Sequence, residues 1–150
     1  MCVDVMSLRR MVMAQMAQNG AEYLKGTITI PNDGSSYTFN YGKSFGSYMI
    51  FLEMTDDSKT AVLNSGSTYA RSYSYIGIYP RRSINNTPCE SLLAQRYNPS
   101  SSTSSYGALT GNQLGTSSLT LPAANITASG WDALVKGLTY NYVIVSLDNI

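Results

Sequence analysis

The sequence predicts a mainly β protein: an antiparallel β-sandwich-like domain preceded by a short amphipathic helix, with one short helix before the last strand. Two observations lead there. Short runs of alternating apolar and polar residues recur from Leu24 to Leu147, separated by turn signals rich in Gly, Pro, Asn and Asp. Only 13% of the residues are charged while 43% are hydrophobic, so Ser, Thr, Asn, Gly and Tyr supply most of the polarity. At 150 residues the chain has the size of one domain, able to bury roughly two-thirds of its unfolded surface. The organisation read from it is a helical packing or assembly segment over 1–20 and a single β-rich domain over 21–150.

The helix comes first. Ser7 is placed to cap a helix beginning at Leu8, and Asn19-Gly20 to end it. Leu8, Met11, Val12 and Met16 recur at three- and four-residue spacing and form one apolar face. A helix of about four turns is marginal alone in water, so that face must meet the protein's own sheet or a neighbouring subunit. Met1, Met6, Met11, Met13 and Met16 suit an adaptable interface. Met6 is also an alternative start, since Met-Ser-Leu-Arg-Arg reads naturally as an opening.

The strand code begins at Leu24. Thr27–Ile30, the turn Pro31-Asn32-Asp33-Gly34, and alternating Tyr37, Phe39 and Tyr41 read as a hairpin. Tyr48-Met49-Ile50-Phe51-Leu52 is apolar at successive positions, as in a strand covered on both faces. Asp56-Asp57-Ser58-Lys59 reads as a turn and Thr60–Leu63 as a short strand. In the stretch from Tyr69 to Tyr79, Tyr69, Arg71, Tyr73, Tyr75 and Tyr79 share a face opposite Ile76 and Ile78.

Pro80 and Pro88 bracket a loop, and Cys89–Arg96 has room for one or two helical turns. Residues 98–118, rich in Ser, Thr, Gly and Asn, read as an exposed loop that crosses an edge, covers a neighbour or projects as a contact. Leu119 and Leu121 restart the strand pattern. Ser129 reads as the cap of a short helix with Trp131, Leu134 and Val135 inward and Gly137 as its stop. The last strand, Thr139–Leu147, carries Val143, Val145 and Leu147 on one face and Tyr140, Tyr142 and Ile144 on the other.

Charge and missing residue types narrow the function. The net charge is +1 and the only basic doublets are Arg9-Arg10 and Arg81-Arg82, which speaks against nucleic acid as a partner. No apolar run approaches the ~20 residues of a membrane span, and no sustained apolar region follows Arg9-Arg10, so neither membrane insertion nor a signal peptide is expected. Cys2 and Cys89 give no metal spacing and read as free thiols of a protein made in a reducing cytoplasm. The sequons at Asn85 and Asn125 carry no weight without a secretory signal. The absence of histidine removes Ser–His–Asp and Cys–His catalysis and the common zinc sites. Neither a phosphate-binding Gly-rich loop nor an acidic calcium loop is present, so no cofactor is implied.

Nine carboxylates remain. Glu53, Asp56 and Asp57 are the densest group, but they sit in turn sequence where solvated acids are ordinary, and Asp132 near a helix start suits the helix dipole. A non-enzymatic protein is expected. The tyrosine face has two readings: a flat aromatic platform for a glycan or protein, with Arg71 in it, or cross-strand rings packed in or over a sandwich.

Two resemblances add expectations. Leu134-Val135-Lys136-Gly137-Leu138-Thr139-Tyr140 resembles the turn into the penultimate strand of fibronectin type III domains, where a tyrosine corner forms. The chain ends soon after this strand, leaving no room for that family's final one. The opening Met6-Ser7-Leu8-Arg9-Arg10-Met11-Val12-Met13-Ala14-Gln15-Met16 resembles the Arg- and Met-rich starts of prophage tail-region products. The Ser/Thr/Tyr-rich strands and the ending Tyr140–Leu147 are similar to small virion proteins of tailed phages. That likeness implies an N-terminal segment attached to the particle and an outward β-domain, in a symmetric oligomer assembled in the bacterial cytoplasm. The expected function is therefore structural: a tail-associated or capsid-decoration protein whose partners are its own copies or other virion proteins. The alternative is a carbohydrate- or receptor-binding module acting on a cell-surface glycan through the tyrosine face.

Overall fold

A computed structural model describes residues 5–18, 22–66, 72–80, 85, 92–98, 102–109, 114–126 and 134–148. In chain order the elements are α1 (Val5–Gln18), β1 (Tyr23–Thr29), β2 (Ser36–Asn40), β3 (Tyr48–Met54) and α2 (Asp56–Asn64). There follow β4 (Ser72–Tyr79), β5 (Leu92–Asn98), β6 (Thr103–Leu109), β7 (Ser118–Ala124), β8 (Leu134–Val135) and β9 (Thr139–Ser146). Six strands form one antiparallel sheet in the order β1-β9-β3-β4-β5-β6. A smaller sheet, β2-β7-β8, is antiparallel between β2 and β7 and parallel between β7 and β8. The expected β-sandwich is present, with α1 as a third layer on the far side of the large sheet.

Alternation along the strands decides which residue enters which layer. In β3, Tyr48, Ile50, Leu52 and Met54 join Tyr140 and Ile144 of β9 in the core between the sheets, against Leu119, Leu121 and Leu134. The intervening Phe51, with Val143 and Val145 of β9, lies under α1. Both faces of β3 and β9 are thus covered, for β3 as its sequence leads us to expect. On α1, Val5 is buried and Leu8, Val12 and Met13 pack against the same cluster. Full burial of such a side chain contributes about 1.5–3 kcal/mol, so this docking supplies what an isolated helix of this length lacks.

Polar bonds tie the layers together. Val135 N–H donates to the buried Tyr140 hydroxyl at 3.2 Å, joining β8 of the small sheet to β9 of the large one. Tyr48 donates to the Gly115 carbonyl at 2.6 Å, which leaves its oxygen to accept from Tyr41 at 2.9 Å. Burial, reinforced by that bond, pushes the Tyr41 phenol well above its ordinary range. On the exposed faces Thr29 pairs with Thr139 and Thr38 with Thr120, hydroxyl to hydroxyl, at 3.0 and 2.9 Å.

Several elements differ from the sequence expectation. The helix begins at Val5, with Ser7 inside it rather than capping it, because the Val5 N–H finds the Gln95 side-chain oxygen at 2.9 Å. Residues 27–41 are not a hairpin: β1 pairs with β9 and β2 with β7. The turn is an arch between sheets, fixed by the Ile30 N–H to Leu138, the Gly137 N–H to Ile30 and the Ala123 N–H to Ser35. Asp56–Leu63 is helical instead of turn and strand. Thr55 caps α2 by accepting from the Ser58 N–H, two acids occupy the first turn, and Gly66 at φ +69° follows the end.

Residues 92–96, expected as helical turns, belong to β5, and 103–109 of the expected loop form β6. The second described helix lies between β3 and β4. Ahead of the last strand, Leu134 and Val135 are extended beside β7, while Ser129 and Trp131 lie outside the described residues.

Candidate functional site

Glu53 is the buried carboxylate among the described residues, at 5% exposure, and it stands on the α1 face of β3. Its register partners across the sheet are Ser74 and Asn141. Lys59 of α2 reaches one carboxylate oxygen at 2.7 Å, and the Arg9 guanidinium of α1 lies 3.9 Å from the other. One carboxylate therefore links both helices to the large sheet, and its charge is compensated there. Asp56 is 3.8 Å from the Lys59 ammonium and fully exposed. Arg9 also borders an open groove of about 440 Å³ with Met13, Lys25, Thr27, Asn141 and Val143.

The tyrosine face turns inward. Tyr73 and Tyr75 are 6% and 0% exposed, their rings stacked with centroids 6.1 Å apart, and Tyr75 meets Tyr140 at 6.4 Å. Tyr79 stacks on buried Tyr48 at 5.3 Å. Buried rings offer no flat face to a glycan, so on β4 the packing role replaces the platform. Tyr69 and Arg71 lie outside the described residues. Gly77 occurs in the same inward row, where a Cβ would come within 2.4 Å of Leu92 and 2.9 Å of Leu114.

The apolar helix residues divide. Leu8 and Val12 are partly buried against the protein's own sheet. Met11 points to solvent at 66% exposure, and the Met16 side chain lies outside the described residues. The packed stripe is Val5, Leu8, Val12 and Met13, sharing Leu8 and Val12 with the expected one and taking Met13 rather than Met11.

The surface left bare is on the β4–β6 side of α1. Ile76, buried beneath the helix, is paired with Leu93, and Gln95 with Tyr106. The same face therefore carries Leu93, Tyr97 and Tyr106, with Tyr106 diagonal to the other two, and Ile78 next along β4. Their exposures are 52%, 38%, 50% and 42% for Leu93, Tyr97, Tyr106 and Ile78. The strip begins where the Val5 N–H meets Gln95, so it continues the cluster that α1 covers. Among the described residues β6 is the last strand of the sheet. Alternation alone could not reveal this site, because both faces of an edge strand are exposed and its sequence reads as loop.

Among the described residues no group of three or more His, Cys, Asp and Glu is placed to hold a metal ion, and no helix is long and apolar enough to cross a membrane. Comparison with family profiles, curated proteins and solved structures finds no match to this chain.

Proposed function

We propose that the chain is a non-enzymatic assembly protein of a phage or prophage particle, working through subunit contacts made by the bare outer strip of its large sheet. The observation that carries this is the contiguous set Ile78, Leu93, Tyr97 and Tyr106 beside α1. Aromatic and aliphatic side chains gathered on a strand face suit the desolvated centre of an interface. The setting follows from the likeness of residues 6–16 and of the Ser/Thr/Tyr-rich strands to small virion proteins. Glu53 holds both helices to the sheet and Asp148 fixes a turn, roles that support a structural reading.

Solution mass by light scattering tests the reading. The full chain is expected to form a defined oligomer, and Leu93→Lys, a change at an exposed position, to shift it toward monomer. A full chain that remains monomeric, or an oligomer indifferent to Leu93→Lys, refutes self-assembly through this strip.

A further inference from the structure

The groove that Arg9 borders lies away from the assembly strip, between α1 and the β1–β9 pair. Its volume of about 440 Å³ falls within the roughly 300–1,000 Å³ usual for small-molecule sites. Register builds its floor. Val143 of β9 lies under α1, so its partner Lys25, the next-but-one residue Thr27, and Thr27's partner Asn141 share that face by alternation. Arg9 and Met13, one turn apart on α1, form the wall. Two cations, a hydroxyl and a carboxamide are thereby gathered, and no acidic side chain is among the described residues that line the groove.

The geometry points to a binding site for a phosphate group, held by Arg9 and Lys25 and oriented by Thr27 and Asn141. Arg9 decides this. Its Nε and Nη1 are buried and make no hydrogen bond, although buried polar atoms nearly always have one. Glu53 does not supply it: one carboxylate oxygen is 3.9 Å from Arg9, beyond hydrogen-bond distance, and the other accepts from Lys59 at 2.7 Å. No hydrogen bond of these two nitrogens holds the guanidinium in place, so a turn about its terminal torsions offers them to the groove. Lys25 is exposed and makes no ion pair among the described residues, which leaves its charge uncompensated.

The arrangement of donors selects the anion. They approach from the helix above and from two strands below, which suits the four oxygens of a tetrahedral phosphate better than a planar carboxylate. Met13 adds an apolar wall able to cover a small organic group carried by the phosphate. Two cations make a local site, not the extended basic face of a nucleic-acid binder.

Amide NMR spectra of the full chain, titrated with sodium phosphate in sodium chloride at constant ionic strength, test the site. Saturable shifts are expected at residues 25–27 and 141–143. Lys25→Gln, a change at an exposed position, is expected to weaken binding about tenfold or more, the effect of losing one hydrogen bond to a charged group. Arg9→Gln should do the same, and the spectrum itself shows whether each variant is folded. Lys136→Gln removes the same charge just after β8 of the small sheet and should leave the affinity unchanged. Phenyl phosphate binding more tightly than inorganic phosphate assigns the site to a phosphate ester with its organic group against Met13; equal or weaker binding assigns it to the free ion. The site is overturned by an absence of saturable shifts, by shifts that persist unchanged in Lys25→Gln, or by an equal loss in Lys136→Gln. Acetate binding as tightly as phosphate overturns the choice of anion.

Discussion

Replacing Glu53 by glutamine keeps the side chain's shape and removes the charge that Lys59 and Arg9 share. The Glu53 side chain is 7% exposed, and those of Arg9 and Lys59 are 21% and 36% exposed. Breaking a fully buried pair costs about 3–5 kcal/mol. A single hydrogen bond to a charged group contributes about 1.5–3 kcal/mol net. Lys59 retains access to water once released, so the lower range applies and a loss of about 2 kcal/mol is expected. For a domain of this size that lowers the thermal midpoint by about 4–8 °C, at roughly 2–4 °C per kcal/mol. Distance ranks the partners: Lys59 at 2.7 Å makes a hydrogen bond, while Arg9 at 3.9 Å does not. Lys59→Met should therefore couple to Glu53→Gln more strongly than Arg9→Met does in double-mutant cycles. Urea unfolding followed by far-ultraviolet circular dichroism measures all of these. A Glu53→Gln loss below about 0.5 kcal/mol, or stronger coupling to Arg9, would refute the clamp.

Two further outcomes follow from other bonds. Tyr140→Phe removes the acceptor of the Val135 N–H in a fully buried position and should cost about 1–3 kcal/mol in urea unfolding; a neutral result would mean that this N–H finds another partner. Asp148 accepts from the Gly46 and Ser47 N–H groups at 3.0 and 2.6 Å, and these bonds, that from Gly46 foremost, hold its carboxyl below its ordinary value near 3.8. A depressed carboxyl contributes stability above its unfolded pKa and loses it as pH falls through the lower folded value. NMR titration should accordingly show the Gly46 and Ser47 amide signals moving together with a shared midpoint below 3.8, and not moving in Asp148→Asn.

What was legible in the sequence was whatever a two-sided burial pattern encodes. The run Tyr48–Leu52 and the alternation of Val143 and Val145 against Tyr140 and Ile144 locate the two central strands, because each face there meets a different apolar layer. The same double coverage hid the direction of the β4 tyrosines: with Ile76 beneath α1 and Tyr75 in the sandwich, alternation shows two faces without saying which is outside. Turn chemistry at Pro31–Gly34 signals a reversal but not which sheet the chain enters next. Asp56–Lys59 reads as a turn and Thr60–Leu63 as a strand, but Thr55 caps a helix there and Asp56 and Asp57 occupy its first turn. Glu53 was grouped with the turn acids although it is the sixth residue of β3. Its partners come from positions 9 and 59, a relation that only the fold creates.

The low charge of the chain acquires a meaning once its charges are placed. Among the described residues Arg9, Glu53, Asp56 and Lys59 gather around the β3 end of α1 and α2, and Glu22, Lys25 and Lys43 gather near the β1 edge. On β5 and β6 the single charged side chain is Arg96, whose Nε donates to Ser105. A uniformly wetted protein would gain solubility from charge on every edge, and most of all on an unpaired strand. Here the neutral side coincides with the exposed apolar strip. Neutral hydroxyls can be desolvated against backbone groups at far lower cost than ammonium or carboxylate groups. The side of the molecule that would lose least by being covered is therefore the side that has most to gain from it.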